Sequence, residues 1–163
     1  MKERIENIFV LTAKMLGSAW IALFVSLLPM YIQRGVLKYD ERLELRENIL
    51  LAVCGIVFGF AVLSFIVSRD ERVARAAKKQ MMLEAGIASG IYALVCVIWW
   101  VFNPNNTAVS VNGLRFAILL GRSDDGFPLF FGTLISTVVY CGAYFCAVML
   151  GAFFARRRRK RGK

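Results

Sequence analysis

The stretch MMLEAGIASGIYALVCVIWWVF, Met81 to Phe102, carries a single charge, Glu84, near its beginning. A helix rises ~1.5 Å per residue and the hydrocarbon core of a bilayer is ~30 Å thick, so a run of this length can cross it. Three more blocks have the same character: 8–32, 49–67 and 128–155. The first starts at Met15, or at about Ile8 if Lys14 snorkels to the interface, and Pro29 is expected to kink or fray its last turn. One short apolar run could be a buried soluble helix, but four in 163 residues leave no soluble alternative. The expected fold is an all-α membrane protein, a four-transmembrane-helix bundle forming a single domain over 1–163, with a short extracytoplasmic β-hairpin between helices 3 and 4.

Composition agrees. The chain is 58% apolar with a mean hydropathy of +0.59, against ~45–50% apolar for an ordinary soluble domain. The net charge is +10, and nearly every Lys and Arg lies outside the apolar blocks. A basic balance of this kind is explained by the membrane, and nucleic acid is not an expected partner. With the N-terminus inside, the inside segments hold Lys2, Arg4, five residues between Arg69 and Lys79, and seven from Arg156 to Lys163, 14 in all, against six in the outer segments. The bias places both termini in the cytoplasm. The size and helix count fit a bacterial cytoplasmic membrane protein. The opening residues mix both charges with no small-residue cleavage site after the apolar run, so no signal peptide is expected.

Between the second and third spans, Ser68-Arg69-Asp70-Glu71 has the spacing of a capping box. No Gly, Pro or Asn follows until the span, so the third helix is expected to begin near Arg69 and stand ~15 Å into the cytoplasm. In the first outer segment, Gln33 to Asn48, Asp40 is a candidate N-cap for a helical lead into the second span. The outer loop 103–127 contains Asn112-Gly113 between alternating apolar residues, a strong hairpin signal. In that register Val111 faces Leu114 and Val109 faces Phe116. Val109, Val111, Leu114 and Phe116 thus make an apolar face, a candidate outer-loop interaction surface.

The spans offer little chemistry. No carboxylate or basic group lies at mid-membrane depth, which argues against a proton-coupled transporter working alone. The chain has no His, no nucleophile motif and no phosphate loop. Cys54, Cys96, Cys141 and Cys146 have no metal or redox spacing and read as small packing residues. No catalytic residue, cofactor or metal is expected. Asp124 and Asp125, before Gly126 and Pro128, read as the lead into the fourth span.

Small residues recur at packing distance instead. Gly55 and Gly59 lie on the second span, Gly86 and Gly90 on the third, and Ala147 and Gly151 on the fourth. Such faces let helix backbones approach closely in lipid, within the chain or against a partner. The tail Arg156, Arg157, Arg158, Arg159, Lys160 and Arg161, within 156–163, is a topology signal and a candidate contact for anionic lipid headgroups on the cytoplasmic side. Taken together, the residues point to a non-enzymatic accessory or regulatory subunit acting through binding to a membrane-protein partner. The alternatives are a small channel or transporter built as a homo-oligomer and, more weakly, a membrane enzyme using the outer acids.

Overall fold

A computed structural model of the chain describes residues 2–36, 41–102 and 126–161. The described residues form five helices: α1 (Lys2–Val36), α2 (Glu41–Ser68), α3 (Glu71–Arg75), α4 (Lys78–Phe102) and α5 (Gly126–Arg161). Between them stand only the short connections on either side of α3, and no strand occurs among the described residues. The hairpin expected at 107–118 lies outside them, as does Asp40. Helix α5 already includes 126 and 127, which the sequence assigns to the loop 103–127. Helix α1 runs through Pro29 to Val36 without interruption.

Three segments are long and apolar enough to cross a membrane: Glu3–Ala22, Lys78–Trp99 and Thr137–Arg161. They mark the chain as an integral membrane protein. The apolar part of α2 among the described residues, Val53–Ser68, is shorter. Burial supports the same reading. Phe24, Val57, Phe65, Leu94, Val138 and Phe153 all face outward, which suits a surface bathed in lipid rather than water.

The four long helices touch in a cyclic order, α1 on α2, α2 on α5, α5 on α4 and α4 back on α1. Leu11 and Met15 of α1, Leu63 and Val67 of α2, Ala85 and Ala88 of α4, and Tyr144, Ala147 and Val148 of α5 fill the space between them. Ala85, Ala88 and Ala147 among them let the helix backbones approach closely.

The connection from α2 to α4 departs from the sequence expectation. Ser68 does not cap a helix. It remains in the last turn of α2, and its hydroxyl donates back to the Phe65 carbonyl at 2.7 Å, the local bond that Ser makes readily inside a helix. Asp70 takes the N-cap role, in extended geometry, and its carboxylate accepts from the Arg72 N–H at 2.9 Å. Glu71, freed from any capping box, pairs with Arg75 at 3.0 Å. Nor does one helix run from Arg69 into the third span. Helix α3 ends at Ala76, which turns extended, and α4 starts at Lys78. Two tertiary contacts outweigh the helical propensity of this segment. Val73 is buried against the bundle, and Arg156 of α5 donates to the Ala76 carbonyl at 3.1 Å. That carbonyl is thereby drawn away from a helical ladder.

Candidate functional site

The candidate packing glycines divide into two groups. On α2, a Cβ added at Gly55 would meet the Tyr140 hydroxyl at 2.8 Å. One added at Gly59 would meet Tyr144, its hydroxyl oxygen and its ring carbons Cε1 at 2.9 Å and Cζ at 3.0 Å. The four-residue spacing of the glycines matches that of the tyrosines, so each ring edge sits over a missing side chain. On α5, a Cβ added at Gly151 would meet the Ser64 carbonyl oxygen at 2.7 Å and Val67 Cβ at 2.8 Å. Ala147 is buried one turn earlier, and its carbonyl accepts from Ser64 Oγ at 3.2 Å. Gly86 and Gly90 behave differently. Both lie on the exposed side of α4, with nothing within 4 Å of an added Cβ. They share that side with Leu83, Ile87, Leu94 and Ile98.

The interior is more polar than the sequence disclosed. Tyr92 and Tyr144 meet at a tilt of 52° with centroids 5.3 Å apart, and Tyr140 meets Tyr144 edge-on at 5.8 Å. Cys96 is buried close by, and the Cys141 thiol lies 3.7 Å from the Ser89 carbonyl. The hydroxyls of Ser18, Ser89 and Tyr144 are buried with no hydrogen-bond partner among the described residues. Thr12 is satisfied locally, donating to the Ile8 carbonyl at 2.9 Å. The complementary spacing of Gly55 and Gly59 with Tyr140 and Tyr144 was the available signal for this cluster. Recognising it required knowing that α2 packs on α5.

Charge gathers at the end of the molecule where α3 lies. Lys14 does not reach for open interface. It pairs with Asp70, and both side chains are largely covered, 21% and 14% exposed. Burial alone would raise the Asp70 pKa, but the Lys14 hydrogen bond, the Arg72 N–H and the Lys14 charge together bring it below the usual 3.8. Glu6 pairs with Arg72 at 2.7 Å. Glu84, fully buried near the start of α4, accepts from Gln80 Nε2 at 2.7 Å. These contacts set the register of the helices. They tie α1, the α2–α3 connection, α3 and α5 together at this end of the molecule.

The basic tail is a continuation of α5, helical as far as Arg161. Its residues therefore take different directions. Arg156 binds Ala76, whereas Arg157 to Arg161 are exposed. Arg158 and Arg159 flank a groove whose opposite wall includes Ser68, Arg69 and Arg75. Arg69 itself sits over the Phe65 ring at 5.0 Å. The outer-loop residues Val109, Val111, Leu114 and Phe116, with Asp124 and Asp125, lie outside the described residues. Among the described residues no three His, Cys, Asp or Glu side chains come together as a metal site would require. No protein-family model, curated protein or solved structure matches the chain.

Proposed function

We propose that the chain crosses the membrane four times with both ends in the cytoplasm. In this reading it works without catalysis, as an accessory or regulatory subunit that docks on a helix of a membrane partner. The observation that carries it is the contrast between the glycine faces. Gly55, Gly59 and Gly151 are filled by the chain's own tyrosines, carbonyl and valine, while Gly86 and Gly90 face open space on an outward apolar side of α4. Glycine on an outward face of a membrane helix offers backbone to an approaching helix. Four crossings are supported by the position of α2, which packs between α1 and α5 while Val53, Val57, Phe58 and Phe65 face outward. The Lys14–Asp70 pair would then mark the cytoplasmic boundary, with the arginines of α5 just beyond it.

The test is Gly86→Leu and Gly90→Leu in full-length protein extracted into native nanodiscs. The partner should be lost from the co-purified complex while the melting temperature of the isolated chain holds. If the lost mass is a multiple of the chain's own, the homo-oligomeric channel or transporter replaces the accessory reading. If complex size is unaffected by either variant, docking through α4 is wrong.

A further inference from the structure

At the charged end, α2 and α5 leave a groove that neither helix fills. Two adjoining hollows, of about 530 and 480 Å³, share Ser68, Arg69 and Arg158. Arg159 borders the first, and Arg157 and Phe154 border the second. We propose that this groove binds one anionic diacyl phospholipid, its phosphate held between Arg69 of the α2–α3 connection and Arg158 of α5, with an acyl chain along Phe65 and Phe154.

Charge accounting points to an anion. The two acids at the groove are already engaged, Asp70 by Lys14 and the Arg72 N–H, Glu71 by Arg75. Arg69, Arg157, Arg158 and Arg159 have no carboxylate partner among the described residues. Arg69 and Arg158 line both hollows with no carboxylate to balance them, and an anion held between them supplies that charge. Phosphate is the matching chemistry, because the planar guanidinium fork donates two parallel hydrogen bonds to its oxygens. Arg69, from the α2–α3 connection, and Arg158, from α5, line both hollows and so meet where the two join. General adhesion of a basic tail would need no contribution from Arg69.

The surroundings favour a lipid over a soluble anion. The Arg69 guanidinium rests over the ring of Phe65, which is 61% exposed, and Phe154, which lines the second hollow with Arg69, is 47% exposed. One turn further along α5, Leu150 also faces outward. Polar recognition at the end of the helices thus passes directly into an apolar track along them. An acidic peptide or a nucleic acid would bind the arginines and leave the track uncovered. A headgroup with its chain covers both. The inference rests on this end of the bundle lying at a membrane interface. It is independent of the α4 face and of which side of the membrane the end occupies.

The experiment uses the full chain in phosphatidylcholine nanodiscs doped with phosphatidylglycerol, followed by native mass spectrometry of the lipid retained. The natural chain should keep one phosphatidylglycerol in preference to phosphatidylcholine. The pair R69Q and R158Q should weaken retention about tenfold, as expected for losing a charge-assisted contact. The pair K78Q and K79Q removes the same charge from exposed positions outside the groove and should retain the lipid. The pair R69K and R158K preserves charge and folding but not the fork, and should also weaken retention. Equal losses in the glutamine pair and its control, full retention by the lysine pair, or equal retention of phosphatidylcholine would each overturn the site. Inorganic phosphate should displace the lipid far less well than short-chain phosphatidylglycerol; equal potency would remove the acyl track from the proposal. A chain that fails to enter nanodiscs at all would point to the membrane reading instead.

Discussion

Replacing Gly151 by alanine tests whether the contact of α5 with α2 holds the bundle together. The new Cβ would lie 2.7 Å from the Ser64 carbonyl oxygen, 2.8 Å from Val67 Cβ and 2.9 Å from Val67 Cγ1. Ordinary carbon–carbon contact is ~3.5–4.0 Å, so the helices must part by roughly 0.7 Å. Backbone cannot rotate aside as a flexible side chain would. One turn away, the Ser64 Oγ bond to the Ala147 carbonyl is already 3.2 Å, and that displacement takes it out of hydrogen-bonding range. Overpacking costs ~1–3 kcal/mol and the lost bond, in lipid, ~0.6 kcal/mol. The better helix propensity of alanine offsets up to ~1 kcal/mol. The net destabilisation is therefore about 0.5–3.5 kcal/mol. Gly86→Ala and Gly90→Ala meet nothing within 4 Å, and should leave stability unchanged or raise it by up to ~1 kcal/mol. Unfolding in mixed micelles titrated with dodecyl sulfate measures all three variants on one scale. If Gly151→Ala proves as stable as Gly90→Ala, the closeness of α2 and α5 does not carry the stability assigned to it.

Two further outcomes follow from the charged end and the charge distribution. Asp70→Ala removes both the cap of α3 and the partner of a largely covered lysine, and should destabilise by about 1–3 kcal/mol; in a Lys14→Met background the same change should cost visibly less, and equal costs would show that the pair is uncoupled. Because the Asp70 pKa is lowered in the fold, its contribution is complete above the ordinary value of 3.8 and erodes as pH falls from there through the lower folded value; Asp70→Asn should lack this acid-limb loss in a pH series of melting curves. A reporter fluorescent only in the cytoplasm should light when fused after Lys163 and stay dark near Asn106, and the reverse pattern would invert the proposed orientation.

The positions of the helices were legible because lipid demands long uncharged runs, and Met81–Phe102 falls within α4 with the same last residue. The rotation of each helix was not legible. In a soluble helix polar residues mark the outer face, but here both the core and the surroundings are apolar, so Gly59 and Gly90 look alike until the neighbours are placed. The α2–α4 connection was misread for a different reason. Ser68 and Asp70 both suit a cap, and the choice between them is made by Lys14, 56 residues away from Asp70 in sequence. The break at Ala76 likewise depends on Arg156. The arginine groove could not be read from the tail alone, since a row of six basic residues does not say which of them will face Arg69 across a helix contact.

That break at Ala76 also orders events in time. The chain is made from its N-terminus at ~5–20 residues per second, and the Ala76 carbonyl waits for an arginine 80 residues later, a delay of roughly 4–16 s. Lys14 and Glu6, by contrast, already exist when Asp70 and Arg72 emerge. The first two long helices can therefore be fastened to the start of α3 during synthesis, while the join between α3 and α4 stays open until α5 arrives. Arg156, in the penultimate turn of α5, is the latch for that join, and a nascent chain halted before it would carry the start of α3 fixed and its end free.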